Sequence, residues 1–246
     1  MFIISEIFPQ HSGDLDMAKR MIFLSYISGA SAVKFQLVEN NMFSKDGLDR
    51  SHNEITFDQL KDLSNYSRKI GIEPFATAFT KNTLEWCKEL DFNYFKIPAR
   101  MHKEDPALIN EILKVKKEIF ISVRPDEVNS IKIKMQKNYI FLMCISNYPT
   151  LLSDVKIPDF NNSIFKGISD HSLGISAALK ACAFGAEYLE KHFTFDKNLQ
   201  KSNEKGHLGG MDAEDLKTLK KITSEIELIG NKPNKIKNWL NFLKKY

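Results

Sequence analysis

The chain has 246 residues, 43% of them hydrophobic and 27% charged, enough apolar material for one large core and long for a simple sandwich. Its net charge of +4 is spread over many lysines, which suits a phosphorylated substrate and argues against nucleic acid. The apolar start Met1-Phe2-Ile3-Ile4 stops at Glu6, too soon for a signal peptide or membrane span. Three cysteines, Cys87, Cys144 and Cys182, share no repeated spacing and predict reduced thiols in a cytoplasmic compartment.

Strand-like and helix-like segments alternate along the chain. Residues 2–7 read as a strand and 14–27 as a helix; 31–37 is the second strand and 57–70 the second long helix. Residues 38–56 between them form a polar loop long enough to be functional. Strands follow at 72–79 and 94–98, around a helix at 82–90. A helix at 105–116 precedes the fifth strand at 119–123, and 125–136 is a helix with proline in its first turn. The sixth, seventh and eighth strands are 139–144, 163–169 and 187–192, with helices at 174–184 and 212–229. Eight such units with apolar strands predict an α/β fold, a closed (β/α)8 TIM barrel over residues 1–230, rather than an open doubly wound sheet. Residues 231–246 read as a basic amphipathic tail, in which Trp239, Leu240, Phe242 and Leu243 form an apolar face among Lys235, Lys237, Lys244 and Lys245. Packing on the barrel is its expected use, ahead of a membrane or partner contact.

A barrel of this kind works at the C-terminal ends of its strands. Those ends supply Glu6, Lys34 with Gln36, Thr77, Lys96, Ser122, Ser146 with Tyr148, Asp170 with His171, and Glu190 with His192. Lysines and hydroxyls on one rim suit a phosphate or carboxylate. Two histidines on neighbouring strands suit a divalent metal with open positions, able to polarise a carbonyl. The set predicts a phosphorylated acid reacting with a carbonyl partner.

Several strings resemble the sialic acid synthase family. They are Glu6-Ile7 with His11-Ser12-Gly13-Asp14, Ala32-Val33-Lys34-Phe35-Gln36, Phe95-Lys96-Ile97-Pro98, Cys144-Ile145-Ser146-Asn147-Tyr148-Pro149-Thr150, Ser169-Asp170-His171-Ser172-Leu173-Gly174 and Glu190-Lys191-His192-Phe193-Thr194. The resemblance implies a (β/α)8 barrel that condenses phosphoenolpyruvate with an aldose such as N-acetylmannosamine. Phosphate is released and a nine-carbon 2-keto acid forms. It further implies that His171 and His192 hold manganese or magnesium. Lys34, Thr77, Lys96, Ser122 and Ser169 would grip the phosphate and carboxylate, Glu6 would act as acid or base, and Gln36 and Tyr148 would face the sugar. Ser146, Asp170 and Glu190 complete the expected substrate-binding set.

Where the family carries Gly-Ser-Gly-Glu after the fourth strand, this chain has Pro98-Ala99-Arg100-Met101; where it carries Ser-Thr-Gly-Met, this chain has Ser122-Val123-Arg124-Pro125. Phe8, Gln10, Met143 and Ser146 also depart from the family pattern, and Lys205-Gly206-His207 only faintly echoes its Gly-Pro-Asp-His. The family's antifreeze-like domain would begin near the end of this sequence. It commonly reaches over a partner's barrel and supplies an arginine to the sugar, so a homodimer or a separate capping partner is the expectation.

Each residue also has a structural reading. Lys34 and Lys96 would then be rim lysines pointing outward, Glu6 a partner for one of them, and Thr77 and Ser122 ordinary strand-end hydroxyls. Arg100 and Arg124 either bind an acidic acceptor or bridge carboxylates. His11 and His207 read as loop residues, and Gly206, Gly209 and Gly210 as a flexible turn. The function expected is metal-dependent synthesis of a 2-keto sugar acid. The alternatives are a non-catalytic accessory barrel that binds a sugar or phosphorylated ligand, and an aldolase that uses a lysine Schiff base.

Overall fold

The computed structural model describes residues 1–39, 42, 47, 49–131, 133–199 and 208–229. The tail at 231–246 and the Lys205-Gly206-His207 string lie outside the described residues, as does part of the 38–56 loop. Eight parallel strands close on themselves in sequence order: β1 Phe2–Glu6, β2 Ala32–Leu37, β3 Glu73–Ala78, β4 Tyr94–Ile97, β5 Glu118–Val123, β6 Tyr139–Cys144, β7 Phe165–Asp170 and β8 Tyr188–His192. The last pairs with the first, Phe2 opposite Tyr188 and Glu6 opposite His192. This is the (β/α)8 barrel expected.

Helices α1 Leu15–Ile27, α2 Phe57–Ile70, α3 Lys81–Glu89, α4 Met101–Glu104, α5 Pro106–Ile112, α6 Ser176–Ala183 and α7 Ala213–Ile229 lie in the crossovers and after the last strand. Local sequence fixes their ends. Asp14 caps α1 by accepting from the Met17 amide, and Thr56 with Gln59 forms a capping box on α2. Gly71 ends α2 in the left-handed region, with φ at +96°, where a side chain would be strained.

Three expectations need correction. Residues 125–136 do not form an α-helix. Among the described residues of this segment only a 3-10 helix, Pro125–Ser130, is present, and Ile131 follows in extended backbone. Asn129-Ser130 and two β-branched isoleucines outweigh the favourable proline start. The helix expected at 105–116 ends at Ile112, while Met101–Glu104 forms a short helix that local composition did not signal. The β6–β7 crossover contains only 3-10 turns, Leu152–Asp154 and Phe160–Asn162, so not every strand is followed by an α-helix.

Strand side chains alternate between the barrel interior and the helix layer. At the N-terminal end Phe2, Phe75, Tyr94, Phe120 and Tyr188 fill the interior, with ring centroids 5.4–6.2 Å apart. Two or four residues further along these strands come Glu6, Thr77, Lys96, Ser122 and Glu190. The aromatic floor closes one end, and the other holds the polar groups. Gly167 is required by close approach: a Cβ there would lie 1.9 Å from the Tyr188 carbonyl oxygen.

Candidate active site

Four charges meet inside the barrel mouth, all from buried side chains. Lys34 on β2 pairs with Glu6 on β1 and lies 3.6 Å from Glu190 on β8. Lys96 on β4 reaches the other Glu190 oxygen at 3.0 Å. Each lysine also donates to a hydroxyl on the next strand, Lys34 to Thr77 at 3.1 Å and Lys96 to Ser122 at 2.5 Å. Ser169 donates to Glu190 at 3.1 Å, and the Phe8 amide donates to Glu6 at 2.9 Å. The lysines therefore point inward, against the rim reading.

Burial raises the cost of charge on all four, but the outcomes differ. Burial alone would raise Glu190; the Lys34 and Lys96 charges overcome it and push the carboxyl down to about 2. Glu6 stays above the ordinary carboxylate range because burial outweighs Lys34. Burial also lowers Lys96, whereas Lys34, flanked by two carboxylates, is raised despite it. Glu190 is thus the ionised bridge of the group, and Glu6 the carboxyl that holds a proton more readily.

His171, just beyond β7, and His192, ending β8, stand with ring centroids 5.6 Å apart. Tyr148 lies 4.2 Å from the first ring and 6.1 Å from the second. His171 Nδ1 lies 3.0 Å from the Ile145 carbonyl, and His192 Nδ1 lies 3.1 Å from the Phe8 carbonyl and 3.4 Å from Gln10 Nε2. A neutral ring that donates Nδ1–H to a carbonyl keeps a lone pair on Nε2, the arrangement a metal ligand needs. Burial holds His192 well below the ordinary imidazole value, with the charges of His171 and Lys34 adding to it. Burial opposes charge on His171 and Cys144 as well, yet the interaction between the two groups raises the imidazole and lowers the thiol.

No cluster of three or more His, Cys, Asp or Glu able to hold a metal ion occurs among the described residues. The donors present fit a divalent ion held by two imidazoles, its other positions left to water and substrate.

The remaining expected residues are placed as follows. Gln36, half-buried, sits beside Thr77 in register. Ser146 lies 3.7 Å from Cys144 Sγ, and Tyr148 is exposed at the mouth. Asp170 is not brought to the group. It falls between the inward-facing Ser169 and His171, so strand alternation turns it to the outer face, where Lys191 Nζ holds it at 2.9 Å. Arg124 pairs with Asp126 at 3.3 Å, and Arg100 pairs with Glu104 at 3.3 Å while lying over the Phe79 ring, so both bridge carboxylates. Lys191 and the Cys144 contact to His171 were missed. Counting strand parity through Glu190-Lys191-His192 would have separated Lys191 from its neighbours.

Residues 21–235 match the NeuB family. This chain belongs to that family. Human N-acetylneuraminate-9-phosphate synthase is 30% identical over 236 residues, covering 84% of this chain and 66% of that protein. The N,N'-diacetyllegionaminic acid synthase of Legionella pneumophila is 29% identical, over 93% of this chain and 72% of that protein. The crystal structure of the N-acetylneuraminic acid synthetase of Leptospira borgpetersenii, in complex with citrate, aligns with a TM-score of 0.83 at 28% identity, over 94% of this chain and 85% of that one. The sequence resemblance to sialic acid synthases is therefore borne out for this NeuB-family barrel. The chain spans about two thirds of the length of the human and mouse relatives, 66% in each case. Among the described residues no helix is long and apolar enough to cross a membrane.

Proposed function

We propose that this chain condenses phosphoenolpyruvate with a sugar aldehyde to give a 2-keto sugar acid and phosphate. The observation that carries the reading is the pair Lys34 and Lys96, buried in the mouth and each bonded to a neighbouring hydroxyl. Preorganised cations and hydroxyls suit the phosphate and carboxylate of phosphoenolpyruvate, because they need no reorganisation as charge develops. Ser169, on the Glu190 side, completes that face, and Gln36 and Tyr148 border the space for the acceptor.

In the proposed reaction C3 of phosphoenolpyruvate bonds to the aldehyde carbon, and one water is consumed as phosphate departs. When bound to His171 and His192, a manganese or magnesium ion supplies Lewis-acid polarisation of the aldehyde oxygen. Glu6, protonated more readily than an ordinary carboxyl, gives a proton to that oxygen as the bond forms, and water returns it. Lys34 and Lys96 hold the anionic donor beside it.

A second reading is an accessory barrel that binds ligand without turnover. It is favoured by Ala99 and Met101, both buried apolar side chains where the family pattern has a serine and a glutamate. One assay separates the readings: phosphate release from phosphoenolpyruvate across neutral and acidic aldoses, with and without Mn2+. The assay is run on the chain alone and then with a second barrel or capping protein. Aldose-dependent release supports the synthase. Phosphoenolpyruvate binding without release under every condition supports the accessory subunit. Borohydride trapping of a carbonyl substrate on a lysine, without metal, supports the aldolase.

A further inference from the structure

Behind the two histidines, on the outer face of β7 and β8, lies an ion pair that takes no part in the mouth. Lys191 is fully buried between His192 and Glu190 in sequence, but its ammonium points away from both. It donates to Asp170 Oδ2 at 2.9 Å and to the Ser172 carbonyl at 2.6 Å. Asp170 in turn accepts from the Ser172 amide at 2.9 Å through its other oxygen. One ammonium thus grips the residues on either side of His171, and its own backbone leads directly into His192.

The loop is held from its other sides too. The Thr150 amide donates to the His171 carbonyl at 2.9 Å, and the Thr150 hydroxyl donates to the carbonyls of Asn147 and Ile145. Ile145 is the residue whose carbonyl faces His171 Nδ1. Gly209, with φ at +85°, packs so closely that a Cβ would lie 3.0 Å from the carbonyl oxygens of both His171 and Ser172. Gly209 therefore backs the histidine loop, a firmer role than the flexible turn expected.

We infer that Lys191, through Asp170 and Ser172, is a positioning residue that sets the spacing of His171 and His192 for a divalent cation. The inference rests on the proposed two-histidine site. Lys191 does not face the mouth and is not a catalytic residue. A clamp with one foot on β8 and two on the β7 loop fixes one histidine relative to the other, as supporting groups around metal ligands commonly do.

The experiment is Mn2+ binding to the full chain, read by calorimetry and by the electron paramagnetic resonance signal of free Mn2+. Lys191→Met keeps the apolar stem and removes the charge, and it should weaken Mn2+ at least about 10-fold. Because it strands a buried carboxylate, the double variant Lys191→Met/Asp170→Asn is measured beside it. That variant has no uncompensated charge and should regain thermal stability while staying weakened toward Mn2+. Lys191→Arg, which keeps charge and donors, should recover part of the affinity. If the double variant, or Lys191→Met itself, binds Mn2+ as the wild type does, the inference is overturned. A wild type that takes up no Mn2+ overturns the two-histidine site and the inference with it. A double variant that regains both stability and affinity reduces the pair to charge balance and overturns positioning.

Discussion

At the end of the barrel where the strands begin, Phe2, Phe75, Tyr94, Phe120 and Tyr188 meet ring to ring. Two to four residues along the same strands stand Glu6, Thr77, Lys96, Ser122 and Glu190. The floor is uniform in chemistry and its rings are interchangeable in kind. The mouth is heterogeneous, and each charge there has a named partner. Burying an aromatic side chain contributes about 1.5–3 kcal/mol, whereas a buried ion pair often returns no net stability against its desolvation cost. The comparison assigns stability to the floor and selectivity to the mouth, with one strand supplying both through a shift of two or four residues.

The largest effect expected is on the floor. Phe120→Ala should destabilise the chain by about 3–5 kcal/mol, the cost of opening a cavity among packed rings. Thermal unfolding should fall on the order of 10 °C, while the folded fraction keeps wild-type affinity for phosphoenolpyruvate. Loss of affinity in a folded Phe120→Ala chain would break the division between the two ends.

Next comes the mouth. Lys96→Ala should weaken phosphoenolpyruvate binding in calorimetry and cost about 2–4 kcal/mol in the transition state, with a smaller change in melting than Phe120→Ala. Equal affinity in variant and wild type would move Lys96 to a structural role.

The smallest effect is on acid stability. Glu190 is held at about 2, below its ordinary 4.5, so its contribution is present above pH 4.5 and is lost as pH falls toward 2. Glu6 acts with the opposite sign: its value is raised, so its contribution is present at low pH and fades as pH rises through the folded value. In Glu190→Gln the melting temperature should fall less steeply between pH 4.5 and 2 than in the wild type. An unchanged slope would mean that Glu190 is not the ionised bridge.

Much of the barrel was legible because its strands are short apolar runs separated by capped helices. Thr56 with Gln59, and Asp14, mark helix starts in the sequence itself. The 125–136 segment misled because Pro125 suits the first turn of a helix, yet Val128, Ile131 and Ile133 pack against the core as partly buried side chains without an α-helix. Lys34, Thr77, Lys96 and Ser122 were found from strand ends alone. Their pairings were not, because each depends on a partner one strand away. Asp170 was misplaced for a local reason: it shares a string with two inward-facing residues but has the opposite parity. The contact between Cys144 and His171 joins two strand ends distant in sequence, and no local pattern announces it.

The two crossovers on either side of β6 carry 3-10 turns where the other crossovers carry α-helices. In terms of amide exchange, β6 is therefore shielded by irregular chain, whose opening breaks fewer cooperative hydrogen bonds than lifting a whole helix. Ser122 and Tyr148 reach the mouth from this sector, the first against Lys96 and the second against the two histidine rings. The wall around β6 is thus the part of the barrel that can yield at least cost, while the opposite wall, from β1 to β3, stays pinned beneath α1, α2 and α3.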